Sequence, residues 1–346
     1  MRIVQRKNLI KLCLGSVLIL LTSIGLALPP VTTQGNKVLY GGKAGSLAGN
    51  SFFWSNNSWG GERYYNRATV NWLKRDWTTK IVRASMGVED PGGYIDDANA
   101  NRNRVIALVE AAIAEDMYVI IDWHSHRAED NQAAAVSFFR DMAVRYGQSN
   151  NVLFEIYNEP IDTSWSRIKS YAEEVIAAIR ATGTENLIIV GTPFFSQQVD
   201  VAAQNPITGY SNIAYTLHFY AGTHGDELRD RARIALARGI PLFVTEWGTV
   251  NASGDGAVAE SQTLAWMQFL QQNQISHLNW AVNDKQEGAS VVNPGASTSG
   301  NWPDSQLTDS GRLVRDIIRG WPSVDLTESQ STQPVVTPMI DLLLTQ

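Results

Sequence analysis

The sequence predicts an eight-stranded parallel α/β barrel, and two observations carry this fold class. Between residues 37 and 322, short apolar segments alternate with amphipathic ones, as expected when a helix follows each strand of a parallel sheet. The apolar segments are nearly continuous, which is typical of strands buried on both faces. An open doubly wound sheet is the alternative, but no Gly-x-Gly-x-x-Gly motif follows the first strand, which disfavours its dinucleotide-binding form. The predicted fold is therefore a single (β/α)8 TIM barrel.

The predicted strands and helices can be placed along the chain. The strands are predicted to end near Phe53, Met86, His124, Glu159, Pro193, Tyr220, Gly248 and Asn283. Amphipathic helices are predicted over residues 103–117, 132–146, 168–181, 226–238 and 260–273. Gly147, Gly183 and Gly239 follow three of these segments, and glycine is common just beyond a helix end.

Both ends of the chain are predicted to lie outside the barrel. Residues 1–28 combine basic side chains with an apolar stretch and small residues, as in a secretory signal, although an uncleaved membrane anchor is the alternative. We assign residues 29–36 to a linker, 37–322 to the barrel and 323–346 to a flexible Ser/Thr/Pro-rich tail. Within the barrel segment, residues 38–44 predict a short N-terminal β-hairpin with a Gly-Gly turn at the barrel bottom.

Charge and cysteine content exclude some classes of protein. The chain has 28 basic and 34 acidic residues, and loss of the leader with its four basic residues would change the net charge from −6 to −10 (24 − 34). An acidic chain without basic runs is a poor ligand for nucleic acid. The only cysteine, Cys13, lies in the leader. We therefore expect a disulfide-free, secreted monomer, extracellular or periplasmic after bacterial-type export, with no stable membrane association after cleavage.

Two glutamates stand at the predicted carboxyl ends of buried strands. Glu159 closes the segment 152–160 and Glu246 closes the segment 242–248. Parallel barrels carry their chemistry at this edge. Two carboxylates on different strands are the minimum equipment for hydrolysing a glycosidic bond. We predict that Glu159 is the acid/base, with a pKa raised by burial and by Glu246, and that Glu246 is the nucleophile.

Further polar and aromatic side chains are predicted at the same edge. Arg83 lies inside an apolar strand and needs a carboxylate partner, either Glu246, which it would keep ionised, or a purely structural one. Asn158 and His124 are predicted to bind sugar hydroxyls, His218 to lie near the acid/base, Tyr220 to hold the nucleophile, and Trp280 to stack under a sugar ring. Lys285 and Glu287 either bind a neighbouring sugar or form a solvated salt bridge.

A metal site is the alternative use of the histidines. His124 and His126 have a spacing that could bind a metal ion if later strands supplied further ligands. His277 begins the eighth strand, at the opposite end of the barrel. We therefore expect neither a metal nor another cofactor, and activity lost with EDTA would revive the metal hypothesis.

The combined motifs resemble glycoside hydrolase family 5, over about residues 37–322. The resemblance is carried by residues 152–161, Arg83, residues 122–124, 218–220 and 245–248, and Trp280 with Asp284 and Lys285. Residues 53–56 and 59–61 resemble the bacterial endoglucanase branch, the cellulases.

The resemblance implies a retaining endo-β-1,4-glucanase that acts on β-glucans. It implies Glu159 as acid/base, Glu246 as nucleophile, support from Asn158, His124, His218 and Tyr220, and sugar contacts from Trp59 and Trp280. Many relatives have Trp after the fifth strand where this chain has Phe195, on the leaving-group side.

Other functions stay open at this point. A mannanase, xylanase or lichenase would use the same two carboxylates, because specificity lies in the loops. A non-catalytic carbohydrate-binding barrel would bind sugars without turnover. An isomerase of phosphorylated sugars is disfavoured by the export signal and by the lack of a Gly-rich phosphate loop after strands 7 and 8.

Overall fold

The barrel is closed and wholly parallel. The computed structural model describes residues 28–326. Three short strands precede the barrel: β1 (Val31–Gln34), β2 (Lys37–Tyr40) and β3 (Lys43–Ala44). The barrel strands are β4 (Ala48–Phe52), β5 (Ile81–Gly87), β6 (Tyr118–His124), β7 (Val152–Glu155), β8 (Ile188–Val190), β9 (Ile213–Tyr220), β10 (Leu242–Gly248) and β11 (His277–Val282). Each pairs with its sequence neighbours, and β11 pairs with β4 to close the barrel. The predicted fold class is confirmed.

Helices lie between the strands and pack around the barrel. They are α1 (Arg67–Trp72), α2 (Ala98–Ala114), α3 (Gln132–Tyr146), α4 (Trp165–Arg180), α5 (Pro193–Ser196), α6 (Val199–Ala202), α7 (Asp226–Ala237), α8 (Glu260–Asn273) and α9 (Asp309–Gly320). The bounds of α3 and α8 match the prediction. Helix α2 begins before the predicted residue 103 because the Asp97 side chain accepts a hydrogen bond from the Ala100 N–H and caps the helix there.

The N-terminal sheet closes the bottom of the barrel. Gly41 and Gly42 have φ of 60° and 81°, which suits the two-residue turn that joins β2 to β3, so the hairpin prediction is confirmed. The structure adds β1, which pairs with β2. The assignment of residues 29–36 as a linker is therefore wrong, since β1 lies within them. Tyr40 packs edge-on to Tyr118 at 5.6 Å between ring centroids.

The two chain ends bear on the remaining boundaries. Residues 1–27, most of the predicted leader, and residues 327–346, most of the predicted tail, lie outside the described part of the chain. Leu28 is buried against the barrel bottom, and the side chain of Val324 packs against the same cluster. The backbone N–H of Val324 also donates to the carbonyl oxygen of Ser46 at 3.1 Å. Residues 323–326 therefore follow the barrel surface, and the predicted tail boundary lies too early. Within residues 28–326 no helix has the length and apolar content needed to cross a membrane.

The strand before Glu159 is shorter than predicted. Strand β7 ends at Glu155, so Glu159 lies in the following loop. The N–H groups of Asn158 and Glu159 donate to the carbonyls of Trp123 and Ser125, each at 3.2 Å. The loop is thus held beside the end of β6, and Glu159 still stands at the carboxyl edge of the barrel.

Strand β4 leaves no room for a side chain at Gly49, which gives a test of the barrel packing. A Cβ atom at this position would lie 1.8 Å from the backbone carbonyl oxygen of Ile81, which belongs to the paired strand and cannot move alone. We expect Gly49→Ala to lower the free energy of unfolding by more than about 3 kcal/mol, measured by urea denaturation. Gly320→Ala is the control, because a Cβ there meets nothing within 4 Å. A Gly49→Ala protein as stable as this control would contradict the packing.

Candidate active site

An open cleft of about 370 Å³ lies at the carboxyl edge of the barrel. Ten of the residues predicted from sequence line it: Trp59, His124, Glu159, Phe195, His218, Tyr220, Glu246, Trp280, Lys285 and Glu287. The other two, Arg83 and Asn158, are buried beneath it. The structure therefore brings all twelve predicted residues to one place.

Arg83 forms the floor of the site. Its guanidinium contacts three carboxylates: Glu155 Oε2 at 2.7 Å, Asp122 Oδ2 at 2.9 Å and Glu246 Oε2 at 3.1 Å. Burial acts to lower the pKa of Arg83, but these carboxylates outweigh burial and raise it above the ordinary arginine value. The predicted pairing with Glu246 is confirmed. The alternative of a structural ion pair is also realised, because Asp122 and Glu155 are fully buried and do not line the cleft.

Arg83 also orients Asn158. Arg83 Nη2 donates to Asn158 Oδ1 at 2.6 Å. Because the amide oxygen is engaged there, the amide nitrogen is the group that Asn158 can offer to a ligand. The predicted bond from this residue to a sugar hydroxyl is compatible with that orientation.

Glu246 is held by donors on both carboxylate oxygens. Tyr220 donates its hydroxyl to Oε1 at 2.7 Å, and Arg83 donates to Oε2 at 3.1 Å. Burial, together with the nearby Glu246 charge, raises the pKa of Tyr220 well above its usual value, so the phenol keeps its proton. The prediction that Tyr220 contacts Glu246 is confirmed, and the carboxylate has a fixed orientation toward the cleft.

Glu159 lies between two histidines. His218 Nδ1 is 2.8 Å from its Oε1, and His126 Nε2 is 3.4 Å from its Oε2. Burial acts to raise the pKa of Glu159, but the hydrogen bonds and charges of His126 and His218 outweigh burial and lower it. The expected raised pKa is therefore wrong, because the prediction counted the neighbouring Glu246 and not the two imidazoles.

His126 takes part in the site, although the sequence analysis considers it only as a possible metal ligand together with His124. Burial acts to lower its pKa, but its hydrogen bond to Glu159 outweighs burial and raises it. Its backbone N–H donates to Glu89 Oε1 at 2.7 Å, which fixes the loop. The signal was present in the sequence, since His126 lies two residues beyond the end of β6.

His124 and Trp280 form one wall of the cleft. Their rings stack 5.1 Å apart with an interplanar angle of 2°, and Trp54 meets His124 edge-on at 4.1 Å. His124 Nδ1 is 2.7 Å from Asp122 Oδ2. Burial and Arg83 hold the pKa of His124 well below its usual value, so its imidazole is neutral. A neutral ring that donates through Nδ1 leaves Nε2 as an acceptor, which suits a sugar hydroxyl.

The outer cleft carries the remaining predicted residues. Lys285 Nζ lies 2.5 Å from Glu287 Oε2, so this pair forms a salt bridge whose two members both face the cleft. Trp59 is 38% exposed and packs on Trp54 at 5.3 Å. Phe195 also lines the cleft. The cleft residues that the prediction did not single out as site residues are Phe53, Trp54, Gln197, His224, Ala252, Ser253 and Gly254.

The backbone that presents Phe195 is unusual. Phe194, Phe195 and Ser196 all have positive φ, between 54° and 56°, which costs about 1–3 kcal/mol for each non-glycine residue. Phe195 N–H donates to Pro160 O at 2.8 Å, and Ser196 Oγ donates to Asn158 O at 2.7 Å. The segment after β8 is therefore tied to the loop that carries Glu159.

Glu159, His218 and Glu246 each offer one atom within 4.8 Å of the others, the only such group of possible metal ligands within residues 28–326. The predicted pair of His124 and His126 does not belong to it. We assign the three side chains to hydrogen bonding, because the Glu159 and His218 atoms already bond each other and both Glu246 oxygens accept from donors.

A closed parallel barrel with two glutamates and several aromatic rings facing one open cleft defines the class of barrel glycoside hydrolases. The family model described as Cellulase (glycosyl hydrolase family 5) matches residues 32–286. The chain therefore belongs to glycosyl hydrolase family 5, as its motifs indicate.

Relatives of known name support this membership. Endoglucanase Z of Dickeya dadantii (strain 3937) is 57% identical over 295 residues, which cover 85% of this chain and 67% of the relative. An endoglucanase of Clostridium saccharobutylicum is 43% identical over 276 residues, 78% of this chain and 60% of the relative. The chain thus spans about two thirds or less of the length of these curated relatives.

Solved structures share the fold. A Cytophaga hutchinsonii structure has a TM-score of 0.82 at 49% identity, covering 84% of this chain and 95% of the other. The catalytic domain of Thermobifida fusca endoglucanase Cel5A (E5) has a TM-score of 0.79 at 33% identity, covering 84% and 97%. A variant of that Thermobifida domain has been solved in complex with cellotetraose.

The charge balance around Arg83 gives a pH-dependent prediction. Burial raises the pKa of Asp122 to about 7 even though Arg83 opposes it, and burial also raises that of Glu155. Without Arg83 the pKa values of Asp122 and Glu155 would both rise further, because the positive charge that lowers them would be gone. A carboxyl with a raised native pKa binds a proton that the unfolded chain releases, so its contribution to stability is lost as pH rises from about 4 upward.

We therefore expect Arg83→Met to lose stability more at pH 8 than at pH 5. The loss at pH 8 should be about 3–5 kcal/mol in urea denaturation, because three buried carboxylates lose their positive partner. Arg102→Met, which breaks an exposed pair with Asp141, is the control and should change little at either pH. Equal losses at both pH values would contradict the charge argument.

Proposed function

We propose that this chain is a secreted, retaining endo-β-1,4-glucanase that uses Glu159 as acid/base and Glu246 as nucleophile. The observation that carries the proposal is the carboxylate pair: oxygens of the two residues lie within 4.8 Å of each other across an open cleft. Retaining glycosidases have carboxyl groups about 5–5.5 Å apart, whereas inverting ones need roughly 6.5–9.5 Å to admit a water. The short separation favours direct attack.

In the proposed first step Glu246 attacks the anomeric carbon of the sugar. The bond from that carbon to the leaving oxygen breaks, and the leaving oxygen takes a proton from the carboxyl group of Glu159. The donors on Glu246, Tyr220 and Arg83, aim its carboxylate at the cleft. The product is a covalent glycosyl-enzyme.

In the second step water replaces the leaving group. Glu159 is now a carboxylate and accepts a proton from the water molecule. At the same time the oxygen of the water bonds to the anomeric carbon. The ester bond to Glu246 breaks, and the original configuration is restored. The lowered pKa of Glu159 keeps its carboxylate ionised for this step, and His126 and His218 contact its two oxygens.

The shape and lining of the cleft support a polymer substrate. The cleft is open, so a chain can pass through it and be cut internally. Trp59, Trp280 and Phe195 line it, and aromatic faces stack on sugar rings. The names of the relatives, which are endoglucanases, favour β-1,4-glucan over the mannan, xylan and lichenan alternatives.

The rivals from other classes are less well supported. A binding barrel has no use for a nucleophile held by two donors opposite a histidine-paired carboxylate. Export is part of this proposal and rests on the residue pattern of the predicted leader, 1–28.

Substitution of the two glutamates tests the mechanism. We expect Glu246→Gln to lower the rate on carboxymethyl-cellulose by at least about 10⁴-fold without loss of folding, because the nucleophile is gone. Glu159→Gln should lower it by about 10²–10⁴-fold. With 2,4-dinitrophenyl β-cellobioside, whose leaving group needs no proton, Glu159→Gln should still release a burst of dinitrophenolate. Glu110→Gln, on the exposed surface, is the control. A Glu246→Gln enzyme of wild-type rate would refute the assignment.

Substrate class is tested on a panel of soluble polymers. We expect the highest reducing-sugar release from carboxymethyl-cellulose, with a rapid fall in viscosity because internal bonds are cut. Lichenan should follow, while xylan and mannan should give little. A preference for mannan or xylan would overturn the glucanase assignment and leave the two-glutamate mechanism in place.

A further inference from the structure

A chain of three hydrogen bonds runs behind the proposed acid/base into the barrel interior. Glu159 Oε1 lies 2.8 Å from His218 Nδ1, and His218 Nε2 lies 2.8 Å from Thr245 Oγ1. Thr245 Oγ1 lies 2.5 Å from Glu155 Oε1. His218, Thr245 and Glu155 are all at most 1% exposed, so water does not replace any of these bonds.

The direction of these bonds follows from Glu155. Arg83 Nε donates to its Oε2 at 2.7 Å, and Thr216 Oγ1 donates to its Oε1 at 3.3 Å. A guanidinium on one oxygen and hydroxyls on the other form the environment of an ionised carboxylate, which can only accept. The single hydroxyl proton of Thr245 therefore points to Glu155. Toward His218, Thr245 can only accept.

This direction fixes the tautomer of His218. Since Thr245 accepts, Nε2 of His218 carries a proton. Nδ1 then faces Glu159 Oε1, and a bond of 2.8 Å needs one proton between them. A carboxylic acid beside a neutral imidazole meets this need, and so does a carboxylate beside an imidazolium. Both arrangements hold the same number of protons.

We propose that Thr245, oriented by Glu155, is a positioning residue that keeps one transferable proton on the Glu159–His218 pair. This inference rests on the proposed function, in which Glu159 is the acid/base. In the first step the pair gives this proton to the leaving oxygen. In the second step it recovers a proton from the attacking water, so the proton count balances over a turnover.

Without the threonine hydroxyl, His218 has a second option. It can place its single proton on Nδ1 and donate to the Glu159 carboxylate, which satisfies that bond with one proton fewer on the pair. The pair then loses its transferable proton at a lower pH. The charged and titratable groups that face the pair from neighbouring elements are Arg83, Asp122, His126, Glu155, Tyr220, His224 and Glu246.

The test compares Thr245→Val, which keeps the shape and removes the hydroxyl, with Thr245→Ser, which keeps the hydroxyl. The alkaline limb of kcat/KM on carboxymethyl-cellulose should move down by about one pH unit in Thr245→Val. Thr245→Ser should restore the wild-type limb. At the acid end the pair is protonated in every variant, so the rates should converge. Thermal denaturation checks that each variant is folded.

Nitrogen NMR of ¹⁵N-histidine-labelled protein reads the tautomer directly. The chain has five histidines, so His218 can be assigned by its loss in His218→Asn. We expect a protonated Nε2 in the wild type and in Thr245→Ser, and a protonated Nδ1 with a bare Nε2 in Thr245→Val. A bare Nε2 in the wild type, or an unchanged alkaline limb in a folded Thr245→Val enzyme, would overturn the proposal.

The two proposals fail in different ways. A wild-type protein with no glycosidase activity but with Nε2 of His218 protonated would refute the glucanase function and leave the proton positions supported. An active enzyme with Nε2 of His218 bare would refute the role of Thr245 and leave the glucanase function supported.

Discussion

The site depends on the ion pairs that the buried guanidinium of Arg83 forms with its carboxylate neighbours. The guanidinium touches Asp122, Glu155 and Glu246, and it orients Asn158. One positive charge cannot balance three buried negative ones, and an unbalanced buried charge is costly. The structure offsets the excess in two ways: burial raises the pKa of Asp122 to about 7, and hydroxyl groups donate to the remaining carboxylates. Strands β5, β6, β7 and β10 are thereby joined through one side chain at the level where the cleft begins.

Above this floor the two glutamates meet different partners, and the difference separates their proposed roles. Glu246 receives only donors that keep their protons, the guanidinium of Arg83 and the phenol of Tyr220, which suits a group that attacks as an anion. Glu159 faces two imidazoles, and an imidazole ring has one nitrogen that can donate a proton and one that can accept a proton. An acid/base must do both within one turnover. A histidine-paired carboxylate can therefore serve in each step, whereas a carboxylate raised in pKa by burial alone would favour only the acid step.

The sequence predicts the barrel and most of its site for a physical reason. Wholly buried parallel strands leave a continuous apolar signal, and polar residues at their carboxyl ends then stand out, as Glu246 does. Three features could not be predicted from the sequence because they depend on contacts between distant segments. Strand β7 stops early and the loop to Glu159 is held by β6. His126 contacts Glu159 only because the loop after β7 brings Glu159 beside the end of β6. In the sequence, Glu155 and Thr245 are indistinguishable from other polar residues within strands. Only the folded structure shows that they contact each other and that Thr245 contacts His218.

The segment after β8, which carries Phe195, is tied to the loop of Glu159 by two hydrogen bonds, one from a backbone N–H and one from a serine hydroxyl. Phe195 N–H donates to Pro160 O, and Ser196 Oγ donates to Asn158 O, so the two segments hold each other in place. Three consecutive residues with positive φ are strained, and such strain persists only where surrounding bonds hold it. Since these bonds do not involve the phenyl ring of Phe195, the size of this side chain can change without altering the hydrogen bonds that hold the loop of Glu159. A substitution at position 195 would therefore change the lining of the cleft and leave the position of Glu159 unchanged.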